Sequence, residues 1–135
     1  MTCECTTPTG DLILRTMAMP ADTNANGDMF GGWIMSQMDI AGGILAKECT
    51  NGRTVTVSVS NIDFISPIKV GDIVCCYGEI LKTGNTSITL KLEVWVTPIL
   101  RKTEEQCPSF KVTEAEFTYV AIDDNGQKRN FCKGK

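Results

Sequence analysis

One stretch, Asp22 to Lys47 (DTNANGDMFGGWIMSQMDIAGGILAK), constrains the fold more than any other. A polar loop of Asn, Gly and Asp, the residues of turns, runs into a mostly apolar segment of helical period. Gly31 and Gly32 let backbone approach a neighbour where that helix begins. At about 100° per residue, Trp33, Ile40 and Ile44 fall on one flank and Ile34, Met38 and Leu45 on the other. Between them runs a stripe of small residues, Gly32, Ser36, Gly42, Gly43 and Ala46, with Met35 at its edge and one carboxylate, Asp39, in its middle. Such a helix has no ordinary solvent face and belongs inside a fold. It is too short and too polar to span a bilayer, which takes about 20 apolar residues.

A carboxylate in so apolar a setting is costly, and costly ionisable residues concentrate at functional sites. The plainer alternative is an interface carboxylate that accepts hydrogen bonds from turn amides. The composition then narrows the chemistry. The chain has no histidine, which excludes Ser-His-Asp and Cys-His machinery, His-ligated metal centres and a His general base. Carboxylates, amides, hydroxyls, thiols and lysine remain. A net charge of −3 gives no general attraction to nucleic acid. The seven cysteines are odd in number and show no C-x-x-C spacing. The opening MTCECTTPTGD has neither a basic nor an apolar leader segment. Together these predict reduced thiols in a cytoplasmic protein, with residues 1–10 a mobile arm. Cys3 and Cys5 on that arm are too few to make a zinc site.

The 135 residues suffice for one domain with a real core. Asp11 to Ala18 reads as a first strand, followed by the loop and helix, with a stop signal at Asn51-Gly52. From Arg53 the period becomes two: Val55, Val57 and Val59 alternate with Thr54, Thr56 and Ser58, then the phase slips to Ile62 and Phe64. That slip predicts a bulge near Ser60-Asn61. A strand from Ile73 to about Leu81 follows, with Cys75 and Cys76 on opposite faces. The next is the cleanest. Ile88, Leu90, Leu92, Val94 and Val96 face one way and Thr89, Lys91, Glu93 and Trp95 the other, as in an antiparallel sheet; Trp95, on the outer side, is placed as an oligomer contact. Residues 99–108, with Arg101, Lys102, Glu104 and Glu105, read as a solvated charged connection. Ser109 to Ile122 is the last strand, with Ala115, Phe117, Tyr119 and Ala121 on one face, and 125–135 reads as a solvated basic tail. The domain proper is thus 11–124. One antiparallel sheet curls round one long helix, an α+β fold, and its open edges favour self-association.

The strings AMPADTNANGDMFGGWIMSQMDIAGGILAKE, IDFISPIKVGDIVCCYGEI and TSITLKLEVWV, in that order, resemble the hotdog-fold acyl-CoA thioesterases, and most of all the small bacterial YciA-type acyl-CoA hydrolases. The resemblance runs from about Gly10 to Asp124. It implies a long central helix wrapped by a curled five-stranded antiparallel sheet, dimers joined sheet edge to sheet edge, and a trimer of such dimers. It also implies hydrolysis of acyl-CoA to a free carboxylic acid and coenzyme A, with no metal and no organic cofactor, coenzyme A being part of substrate and product. Carried over residue by residue, it places the catalytic carboxylate on Asp39 and a catalytic asparagine on Asn24, acting across a dimer interface, and the carbonyl-binding turn on the amides of Gly31 and Gly32.

The residue chemistry fits those roles. A positioned carboxylate can act as general base on water, amides at a helix start form an oxyanion site, and an asparagine offers both donor and acceptor. Direct attack by Asp39, giving a mixed anhydride, is the other route. Asp22, Asn26 and Asp28 are expected to shape the loop through Asx bonds. No P-loop or Rossmann glycine motif is present, so coenzyme A phosphates would meet surface cations; Lys69 and Ser87 are the candidate substrate contacts. A hotdog hydratase would need a histidine. A non-catalytic acyl-CoA or fatty-acid binding module would keep the groove but not need Asp39.

Overall fold

A computed structural model describes residues 5–103 and 107–131. Along the chain come β1 (Asp11–Met17), a single 3-10 turn at Pro20–Asp22, α1 (Gly31–Thr50), β2 (Thr54–Phe64), β3 (Ile73–Thr83), β4 (Ser87–Thr97) and β5 (Phe110–Ala121). The strands form one antiparallel sheet in the order β1-β3-β4-β5-β2. This is the expected strand, helix and four-strand order, wrapped on one helix.

The boundaries follow local chemistry. Asn51 takes the left-handed conformation (φ 58°) that ends α1, its amide bonded to the Lys47 carbonyl. The register of β2 slips between Ser60 and Asp63, with Asn61 at φ 54°, which is the anticipated bulge; a second slip lies between Thr56 and Ser58. The inner side of β4 is a row of fully buried side chains, Ile88, Leu90, Leu92, Val94 and Val96, facing Ile34, Met38, Ala41 and Ala46 of the helix. Each such aliphatic side chain contributes about 1.5–3 kcal/mol by leaving water. Cys76 is buried and Cys75 half-buried, on opposite faces as expected.

The helix does have an open side in the single chain. Ile40 (51% exposed), Ile44 (39%), Asp39, Ser36 and Gly32 lie outside the sheet, while Gly42 and Ala46 turn into the core. Five strands at about 4.8 Å spacing give roughly 24 Å of arc, well under half the circumference about 10 Å from a helix axis. The edge strand β2 leaves Val55, Val57 and Phe64 uncovered beside that open side, and Ile65 follows them.

Five expectations about the periphery are corrected. Cys5 and Cys107 form a disulfide rather than remaining thiols, while Cys49, Cys75 and Cys76 are free. The arm is therefore tied down over its described part, and Thr9 donates from its amide and hydroxyl to the Glu93 carboxylate (3.2 and 2.9 Å) on the outer sheet face. Trp95 is buried within its own chain and donates to the same carboxylate at 2.8 Å, so it is no exposed oligomer contact. Arg101 is no solvated charge but pairs with the buried Asp72. Arg129, in the supposed solvated tail, bonds the Thr50 carbonyl (2.9 Å) and the Ile122 carbonyl (2.8 Å), pinning the end of α1 to the end of the sheet. Cys3, Glu104, Glu105 and the last four residues lie outside the described residues.

Candidate active site

Thr56 of β2 and Tyr119 of β5 are directly opposed across the sheet, and both hydroxyls reach the helix at Asp39. Thr56 Oγ1 donates to Asp39 Oδ1 at 2.6 Å. The Tyr119 hydroxyl lies 2.8 Å from the same Oδ1 and 3.1 Å from the Asp39 backbone carbonyl. Gly42 makes this approach possible: a Cβ there would sit 2.3 Å from the tyrosine oxygen. Burial pushes the Tyr119 phenol far above its ordinary value, and the bond and charge of Asp39 push it further, so it stays a neutral donor. With Oδ1 taken by two donors, Oδ2 carries no hydrogen bond from any described residue. Asp39 itself is exposed, on the open side of the chain.

A second group of residues gathers at the start of the helix. Phe30, the N-cap, offers no side-chain cap; its amide bonds the Asp22 carbonyl, and the first helical bond is from Ile34 to the Phe30 carbonyl. The amides of Gly31, Gly32 and Trp33 therefore have no acceptor inside the helix, and they lie at its positive end. Beside them a cleft of about 280 Å³ is lined by Asn24, Gly31, Ile34, Phe64, Ile65 and Pro67 among others. Asn24 Oδ1 accepts from the amides of Asn26 (2.9 Å) and Asp28 (3.1 Å), which sets the loop and leaves its NH₂ uncommitted among the described residues. The loop's Asx bonds thus come from Asn24, not from Asn26, Asp22 or Asp28. Asp28 instead pairs with Lys69, which brings Lys69 to this loop, though not into the cleft lining.

The residues singled out in the sequence thus separate within one chain. Asn24 and Gly31 share the cleft, with Lys69 behind it. Gly32 is open, with no atom of the other described elements within 4 Å of where its Cβ would be. Asp39 stands eight positions along the helix from Gly31, about 12 Å at 1.5 Å per residue. Ser87 begins β4 at the β3–β4 hairpin, opposite Val120, and joins neither group. Thr56 and Tyr119 were not anticipated. Tyr119 did leave a signal: a tyrosine on an inward, apolar face must find an acceptor for its hydroxyl, and Asp39 is the acceptor at mid-helix. Among the described residues, no three His, Cys, Asp or Glu side chains converge as metal ligands do.

Residues 26–101 match the family model of the thioesterase superfamily. The acyl-CoA thioester hydrolase YciA of Salmonella typhimurium is 56% identical over 129 residues, 96% of each chain. The structure is similar to that of a hexameric broad-specificity acyl-coenzyme A thioesterase (TM-score 0.87, 55% identity, covering 96% of this chain and 86% of that one). It is equally similar to a hexameric thioesterase from Yersinia pestis (TM-score 0.87, 55% identity, covering 95% and 100%). With its loop, its helix carrying Asp39 and its wrapped sheet, the chain belongs to the thioesterase superfamily and, within it, to the hotdog-fold acyl-CoA hydrolases of the YciA type.

Proposed function

We propose that this protein hydrolyses acyl-CoA thioesters in a site that two chains complete together. The observation that carries the reading is Asp39: fixed at Oδ1 by Thr56 and Tyr119, open at Oδ2, and on the uncovered side of the helix. Asp39 takes a proton from water, the water oxygen attacks the thioester carbonyl, and the proton passes on to the departing sulfur of coenzyme A. Negative charge on the carbonyl oxygen is met by the free amides of Gly31 and Gly32 at the helix start, assisted by the Asn24 NH₂. Water attack is favoured over attack by Asp39 itself because the carboxylate is locked by two donors, which suits a base held at a fixed distance. Every group needed is supplied by the chain, so the reaction runs without metal or organic cofactor.

About 12 Å of helix rise separates the positions of Asp39 and Gly31 in one chain, too far for both to meet one carbonyl. A two-fold axis near the middle of β2 resolves this. Thr56 and Phe64 stand toward opposite ends of that strand, so antiparallel pairing of two β2 edges sets each Thr56–Asp39 pair over the partner's Phe64 and cleft. The uncovered Val55, Val57, Phe64, Ile40 and Ile44 give that contact its apolar area. Three such dimers form a hexamer, the state of the related thioesterases. Lys69, close to the cleft, and Ser87 are the substrate contacts proposed beyond the reacting centre. Acyl-CoA thioesters are intracellular metabolites, so the compartment proposed is the cytoplasm. Neither nucleic acid nor insertion into a membrane has a part; no helix among the described residues is long and apolar enough to cross one.

Thiol release from acyl-CoA of graded chain length tests the reading. Wild type should turn over, and Asp39→Asn should fold, bind and lose most of kcat. Binding without cleavage by wild type would instead make the protein an acyl-CoA binding module.

A further inference from the structure

Tyr119 has more bonding than a buried phenol needs. The Asp39 backbone carbonyl, 3.1 Å away, would already satisfy its hydroxyl, yet the shorter contact, 2.8 Å, is to the carboxylate. The ring is 2% exposed, so water does not compete for that proton. The approach depends on the bare Cα of Gly42. On the far side of the same oxygen, Thr56 donates from the neighbouring strand. Two strands and the helix thus converge on one carboxylate oxygen and, among the described residues, leave the other unbonded.

We infer that Tyr119 is a positioning residue for the hydrolysis: its buried hydroxyl fixes the rotamer of Asp39 and occupies Oδ1, so that Oδ2 alone is presented to the attacking water. The inference rests on the thioesterase reading for its kinetic consequence but not for its geometry. Tyr119 never meets the substrate. Its effect passes through Asp39, which separates it from a residue that merely fills the core.

Tyr119→Phe keeps the ring and removes one hydroxyl. Steady-state hydrolysis of butyryl-CoA should show kcat lowered about 10- to 100-fold, the range of a hydrogen bond to a charged group, with KM unchanged within about twofold, as for an interaction needed in the transition state. In an Asp39→Asn background the same substitution should cost almost nothing, because two residues acting as one unit are not additive. Wild-type kcat in Tyr119→Phe, or losses that multiply in the double variant, would overturn the inference. A second measurement stands apart from turnover. The carboxyl carbon-13 resonance of Asp39, assigned by its loss in Asp39→Asn, should move in Tyr119→Phe; an unmoved resonance would overturn the inference even in an active enzyme. If wild type proves inactive while the resonance moves, the functional reading fails and the positioning contact stands.

Discussion

Arg101 closes over Asp72 with two parallel hydrogen bonds, Nε to Oδ1 at 3.0 Å and Nη2 to Oδ2 at 2.8 Å. Asp72 is fully buried and also accepts the Lys69 amide at 3.0 Å. The pair fastens the segment after β4 to the turn before β3, and that turn leads back to the Lys69–Asp28 contact behind the Asn24 loop. The two hydrogen bonds that Arg101 donates to Asp72 hold its guanidinium above its ordinary value, against the opposite pull of burial.

Removing one member of such a pair leaves the other buried and uncompensated. Arg101→Met is expected to destabilise the fold by about 3 kcal/mol, the low end for a broken buried ion pair, because the arginine is partly exposed. Urea unfolding measures it. A cost under about 0.5 kcal/mol would mean that Asp72 finds water or another partner as soon as Arg101 leaves.

A site shared across a two-fold axis predicts rescue between dead variants. In a dimer of one Asn24→Ala chain and one Asp39→Ala chain, one site carries both defects and the other carries neither. Random mixing makes half of all dimers mixed, so about a quarter of wild-type activity should return after co-refolding. Each variant alone should stay near background. Failure of the mixture to recover, with mixed dimers shown by native mass spectrometry, would place Asn24 and Asp39 in the same chain's site or leave one of them without a role.

The features legible in the sequence were those written in neighbouring residues. The stop at Asn51, the bulge at Asn61, the opposed Cys75 and Cys76, and the inward row from Ile88 to Val96 each follow from turn chemistry or period. What was not legible joins distant residues. Tyr119 meets Asp39 80 positions away, Arg129 meets Thr50 79 positions away, and Cys5 meets Cys107. Such pairs are fixed by the strand order β1-β3-β4-β5-β2, which periodicity does not encode. The open side of α1 was misread for the same reason: an apolar helix face announces burial without saying whether its own sheet or a second chain supplies it.

Glu93 gives the fold an acid limit that can be tested. Burial pushes its carboxyl up, but hydrogen bonds from Trp95 and Thr9 and the charge of Lys111 outweigh burial and hold it below its ordinary value of 4.5. A carboxyl depressed in the folded state contributes stability in full above that value and loses it as pH falls further. Wild type should therefore lose melting temperature below about pH 4.5 more steeply than Glu93→Gln, which keeps an acceptor for Trp95 but no longer titrates. Parallel curves from pH 7 to 3 would show that this carboxylate does not set acid stability.

The disulfide between Cys5 and Cys107 spans 102 positions, so it closes most of the chain into one loop. A cross-link of that span removes much of the unfolded chain's freedom and stabilises by about 2–4 kcal/mol in typical cases. In the cytoplasm, the compartment proposed for this protein, thiol pools keep most cysteines reduced, so the bond would report on them. Treatment with a dithiol should lower the melting temperature of wild type, free the arm, and weaken the two bonds that Thr9 makes to Glu93. Cys5→Ser should start at the lower temperature and ignore the dithiol. The same variant should also lose part of its acid tolerance, because Glu93 keeps Trp95 and Lys111 but loses the donors that the arm holds over it. If wild type melts alike with and without reductant while peptide mapping shows the bond intact before treatment, the loop's closure contributes nothing and the arm is held by Thr9 alone.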